Sequence, residues 1–194
     1  TFAHVMEQYM CDAGSAPLTE RMSEAVLKTL VEEAPKVKAN PGDCEVRASL
    51  MWCATVGLNG WLGCGVAAED WATHMIGHEL TALYGIDHAR TLAIVLPQVM
   101  QARREAKREK LLQYAARVWH ITEGSDDERI DAAIARTAQF FESVGIPTRL
   151  SAYELGSDAV DAVVKALTEH GMVKLGEQRA ITPEISRAIL EAAL

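Results

Sequence analysis

Apolar residues recur along this chain at three- and four-residue intervals, and no stretch alternates with period two, so the pattern predicts helices rather than strands. Phe2, Val5, Met6 and Met10 mark a first short helix, which Asp12-Ala-Gly-Ser-Ala-Pro17 stops. Met22, Val26, Leu30 and Val31 place a second from Thr19 to roughly Val37, ended by the turn-forming Asn40-Pro-Gly42. Asp43 is positioned to cap a third, which runs through Val46, Leu50, Met51 and Ala54 toward Gly57. From Leu58 to Ala68 the pattern breaks, with Gly60, Gly63 and Gly65 among Trp61, Leu62 and Val66. That glycine order is the reverse of a dinucleotide fingerprint and no strand precedes it, so the segment reads as close helix packing or a loop.

Glu69-Asp70 then offer acidic side chains to the start of a helix carrying His74 and His78, which Gly85 ends. Asp87 is placed to cap the next helix, through Leu92, Val95 and Leu96, with His88 in its first turn. Arg103 to Lys110 interleaves bases with Glu105 and Glu109 and reads as a solvated helix face, backed by Leu111, Leu112, Ala115 and Val118. Ser125 and Glu128 have the spacing of a capping box for a helix through Ile130, Ile134 and Phe141, ending at Gly145-Ile-Pro147. Val160 to Leu167 is a further helix closed by Gly171, and Thr182-Pro183 starts the last. Roughly nine helices and no sheet place the chain in the all-α class, as one helical domain over residues 1–194.

A hydrophobic content of 49% in 194 residues excludes a disordered chain. A formal net charge of −8 argues against nucleic acid or an anionic membrane surface as partner, since both need a basic face. The longest apolar runs fall far short of the ~20 residues of a membrane span, and no segment has the form of a signal peptide. Cys11, Cys44, Cys53 and Cys64 show neither CxxC nor a framework spacing, which predicts free, buried thiols in a reducing cytoplasm. The chain opens on Thr directly in amphipathic sequence, and so reads as a piece of a longer protein.

The chemistry concentrates between Trp71 and His88, which holds three of the six histidines. His74 and His78 are four apart and share a helix face. With His88, and with His4 from the first helix, they offer a nitrogen donor set suited to zinc or ferrous iron. This is not the zinc-protease HExxH, because Met75 follows His74 and Glu79 follows the second histidine, so Glu79 receives no base role. An unbroken helix from His74 to Tyr84 advances about 15 Å. His88 is therefore expected to join His74 only if that helix stops short and the chain folds back. His120 and His170 are read as ordinary surface or hydrogen-bonded histidines.

The block Asp70-Trp-Ala-Thr-His-Met-Ile-Gly-His-Glu-Leu-Thr-Ala, followed by Gly-Ile-Asp-His88 and Thr91-Leu-Ala-Ile-Val-Leu-Pro97, resembles the signature of iron-containing (group III) alcohol dehydrogenases. The likeness is nearest to their NADPH-dependent aldehyde reductase and butanol dehydrogenase branch. Leu112-Gln-Tyr-Ala and Ile121-Thr-Glu-Gly-Ser-Asp-Asp-Glu-Arg-Ile130 extend it. The resemblance implies a divalent metal held by one aspartate and by His4, His74 and His88, with His78 beside the nicotinamide in proton transfer or substrate positioning. The aspartate would lie four residues before His4, one residue ahead of Thr1. It further implies that this chain corresponds to the C-terminal helical domain of a cytoplasmic, homodimeric enzyme whose other domain holds NADP(H). A small aldehyde or alcohol would be the substrate.

Two expectations follow for the chain by itself: weak or absent metal, for want of the aspartate, and no hydride transfer. Competing readings are a helical metal-binding module without catalysis and a purely structural domain. The last predicts that His74 and His88 lie far apart.

Overall fold

The structure is a computed structural model and describes residues 1–11, 16–66 and 68–194. Among them are nine α-helices: α1 (Phe2–Tyr9), α2 (Pro17–Ala39), α3 (Cys44–Gly57), α4 (Ala72–Tyr84), α5 (His88–Ala102), α6 (Arg108–Arg117), α7 (Asp126–Ser143), α8 (Ser157–Glu169) and α9 (Pro183–Ala192). A single 3-10 turn, Leu150–Tyr153, had no signature in the periodicity. The extended pairing among the described residues is one isolated antiparallel bridge between Leu175 and Ile181. The all-α expectation therefore holds. The stop signal assigned to Asp12–Ser15 lies outside the described residues.

Local chemistry sets most of the boundaries. Asp43 caps α3, one carboxylate oxygen accepting from the Glu45 and Val46 amides, each at 3.1 Å. Ser125 and Glu128 close the capping box of α7 reciprocally: the Ser125 amide donates to Glu128 at 2.8 Å and the Glu128 amide to the Ser125 hydroxyl at 3.4 Å. Gly85 ends α4 in the left-handed conformation, with φ +67°. Asp87 departs from expectation. It occupies the position before α5, but its carboxylate accepts from Arg90 Nε at 3.3 Å and from no backbone amide.

The apolar side chains gather in two clusters that meet on α5. Leu92, Ala93, Leu96 and Met100 face one, built with α1, α2, α3, α6 and α7. Ile94, Val95 and Val99 face the other, built with α4, α8 and α9. A helix apolar on both sides is a core helix, and α5 fits that rule.

The charged run 103–110 is not one solvated helix face. Residues 103–107 form a turn between α5 and α6, and Lys107 points inward, where it is buried. Its ammonium donates to Asp70 Oδ2 at 2.7 Å, to both oxygens of Glu177 at 2.9 Å and to the Met10 carbonyl at 3.0 Å. Helix periodicity cannot single out one base of such a run, because the inward turn comes from the break in the helix. The thiols also correct the prediction: all four are free, but Cys44 and Cys64 are exposed and only Cys11 and Cys53 are buried. Among the described residues no helix is long and apolar enough to cross a membrane.

Candidate metal centre

His4 is the third residue of α1, whose Phe2, Val5, Met6 and Tyr9 are buried in the first cluster. The packing of those four fixes the direction in which the imidazole leaves the helix. His74 is the third residue of α4 and is buried. Trp71 precedes α4 in the left-handed conformation, φ +55°, and sets its indole edge-on to both imidazoles, with ring centroids 6.1 Å from His4 and 5.1 Å from His74.

His88 is the first residue of α5, and it reaches His74 by a route the sequence did not indicate. α4 does not stop short; it runs to Tyr84. The chain instead turns at Gly85 and runs back along the helix through Ile86 and Asp87, three residues that recover up to about 10 Å. The two helices then cross closely at Gly77, where an added Cβ would lie 3.0 Å from Thr91 Oγ1 and 3.3 Å from a Leu92 methyl. A side chain at that crossing would hold α5 away, so the glycine is what lets the fold-back seat His88 over the start of α4.

The outcome is a four-histidine cluster. Ring centroids are 4.6 Å apart for His4 and His74, which stack, and 5.2 Å for His74 and His88. His78, one turn along α4 and exposed, lies 5.0 Å from His88 and 6.0 Å from His74. His4, His74 and His88 each present a nitrogen within 4.8 Å of the other two. Nitrogens around a tetrahedral ion at ~2.0–2.1 Å stand about 3.4 Å apart, so movement of roughly an ångström closes the set on a metal. The fit is supported at His74, whose Nε2 is buried with no hydrogen-bond partner. A buried, unpaired nitrogen beside two further imidazoles is a donor that a metal ion would satisfy.

Electrostatics favour neutral donors. Burial first, and the His74 and His88 imidazoles after it, hold His4 below its ordinary 6.5. Burial, followed by His74 and His78, also lowers His88. Ligating histidine must be neutral, and these groups are held so.

Sequence reasoning missed Glu7. It is 3% exposed, with one carboxylate oxygen on His74 Nδ1 and the other accepting from the Thr73 amide at 2.5 Å and the His74 amide at 3.4 Å. Its one local trait is its place three residues after His4 on the same helix, which says nothing of a partner across the fold. Trp71 was likewise passed over. His120 and His170 stay outside the cluster, and Glu79 turns away from it, its carboxylate 2.7 Å from His170 Nδ1.

An all-helical domain that gathers imidazoles from three separate helix beginnings has the donor chemistry of a transition-metal-dependent helical domain. Comparison makes the class specific: residues 1–194 match the model of the Fe-containing alcohol dehydrogenase family, C-terminal, and the chain belongs to that family. It is 56% identical over 192 residues to the NADPH-dependent aldehyde reductase YqhD of Escherichia coli, covering 99% of this chain and 49% of that protein. It is 34% identical over 194 residues to the probable NADH-dependent butanol dehydrogenase 1 of Bacillus subtilis, again 99% of this chain and 49% of the relative. The structure of the E. coli reductase free of substrate and cofactor superposes with a TM-score of 0.97 at 55% identity, over 100% of this chain and 50% of that one. NADH-dependent butanol dehydrogenase A of Thermotoga maritima superposes at 0.89 and 29% identity, over 99% of this chain and 50% of that one. The chain spans about half the length of the curated relatives it matches.

Proposed function

We propose that this chain is the metal-binding half of a two-domain, NAD(P)H-dependent aldehyde reductase or alcohol dehydrogenase acting on small aldehydes and alcohols. The observation that carries the reading is the convergence of His4, His74 and His88, with the free nitrogen of His74 buried and unpaired. The names of the E. coli and B. subtilis relatives support the reaction class.

In this reading His4, His74 and His88 hold one divalent ion, zinc or iron, together with the aspartate expected one residue before Thr1. Bound there, the ion supplies Lewis-acid polarisation of a carbonyl oxygen, and a nicotinamide held chiefly by the other domain supplies the hydride. The Trp71 indole walls one side of His4 and His74 and excludes water from it. His78 is exposed at the edge of the cluster, and in this reading it would contact the nicotinamide and substrate and hold or move a proton at its imidazole. The enzyme is read as a cytoplasmic homodimer.

A polypeptide of these 194 residues alone is expected to bind metal weakly and to transfer no hydride, since both are proposed to need the aspartate and the second domain. The test is NADPH-dependent aldehyde reduction by the full-length polypeptide, alongside metal content. Activity is expected to vanish in His74→Ala and His88→Ala and after chelation, and to be absent from the isolated chain. Full activity in a rigorously metal-free full-length protein, or tight stoichiometric metal in the isolated chain, would overturn the respective claim.

A further inference from the structure

Glu7 is buried beside the histidine cluster, and each of its two oxygens has different work. Oε1 accepts from the Thr73 and His74 amides, two donors at the start of α4 that cannot become acceptors. Oε2 faces His74 Nδ1. Burial raises the Glu7 carboxyl, while the His74 ring and the Thr73 amide pull it back toward the ionised form, in which it only accepts; the proton between them then belongs to Nδ1, and the lone pair of the neutral ring lies on Nε2. Nε2 is the nitrogen left buried and unpartnered.

We propose that Glu7 is the positioning residue of this site: it fixes His74 in the Nδ1–H tautomer and aims Nε2 at the point shared with His4 and His88. His4 and Glu7 lie one turn apart on α1, so this short helix supplies one donor directly and orients a second that is 67 residues away in sequence. The same carboxylate pins α1 to the first turn of α4, which makes the spacing of the two imidazoles a property of one side chain. Histidines that bind metal through one nitrogen commonly donate the other N–H to a carboxylate, and loss of that partner typically costs 10–100-fold in affinity.

The inference rests on the metal-binding reading above, but its first readout does not. Glu7→Gln keeps the volume and removes the charge. The two backbone donors at Oε1 demand the amide oxygen, which leaves the amide NH₂ facing Nδ1 and drives the proton to Nε2, the nitrogen that must bind metal. In ¹⁵N-histidine-labelled full-length polypeptide without metal, long-range ¹⁵N–¹H spectra are expected to show His74 as Nδ1–H in the wild type and Nε2–H in Glu7→Gln. Zinc affinity, measured by competition with a chromophoric chelator, is expected to fall 10–100-fold in the variant while its helical circular dichroism is retained. An unchanged tautomer or an unchanged affinity in a folded variant overturns the proposal. Should the variant not fold, the wild-type spectrum decides alone: Nε2–H there overturns it and Nδ1–H supports it. A wild type that takes up no zinc defeats the functional reading, while the tautomer spectra still judge Glu7.

Discussion

Replacing Lys107 by Met withdraws the ammonium from between Asp70 and Glu177 while keeping the unbranched stem. The three side chains are 7%, 5% and 9% exposed for Lys107, Asp70 and Glu177, so water does little to screen what remains. At 2.7 and 2.9 Å and an effective dielectric of about 20, each ion pair is worth roughly 6 kcal/mol of Coulomb energy. Most of that offsets desolvation, so the attractions do not sum to a stability. Removing one partner of a buried pair costs about 3–5 kcal/mol, because the other charge stays buried and uncompensated. The Met10 carbonyl loses its donor in the same step.

We therefore expect Lys107→Met to lose about 3–5 kcal/mol at pH 7, a drop on the order of 1–2 M in the urea midpoint. The loss has a direction in pH. Burial first, and Asp70 after it, already raise Glu177 above its ordinary 4.5, while Lys107 pulls it back down. Without Lys107 the folded variant holds a proton that the unfolded chain releases near 4.5, so its stability falls as pH rises above that value. The deficit is accordingly larger at pH 7 than at pH 5. A loss under about 1 kcal/mol, or one that grows on acidification, refutes the reasoning.

Gly77→Val puts two methyl groups into the α4–α5 crossing against Thr91 and Leu92 and is expected to cost about 1–3 kcal/mol, read by urea denaturation, with lower zinc uptake because His88 moves with α5. Tyr114→Phe should cost only about 1 kcal/mol by the same measurement: Thr137 already donates to the Ala133 carbonyl at 2.9 Å, so losing the Tyr114 hydroxyl at 2.7 Å leaves the Thr137 donor paired. His170 is raised above 6.5, first by its hydrogen bond to Glu79 and then by that carboxylate's charge. Its contribution is complete below pH 6.5 and lost as pH rises through the raised value. An NMR titration should therefore place its midpoint above 6.5 in the wild type and back near it in Glu79→Gln.

The histidine cluster was legible because His74, His78 and His88 lie close in sequence and helix geometry limits where their rings go. The manner of closure was not. Periodicity gave the length of α4 but not the backtrack at Gly85, whose direction depends on how α5 packs across Gly77. Caps at Asp43 and Ser125 were readable because each is settled within four residues. Asp87 has the same residue type in the same position and failed, since Arg90 competes for its carboxylate. Glu7 and Lys107 escaped because a charged side chain on a helix or in a turn carries no local mark of the partner awaiting it across the fold. Their partners lie 67 and 37 residues away.

His74 and His88 stand in the opening turns of α4 and α5, and the start of a helix is the positive end of its peptide dipole. In the metal-binding reading proposed above, two such ends therefore put their partial positive charge beside a cation. The field there is hostile to a bare ion and hospitable to negative charge growing on an oxygen. In its ionised form Glu7, buried at the root of α4, supplies the counter-charge that moderates that field.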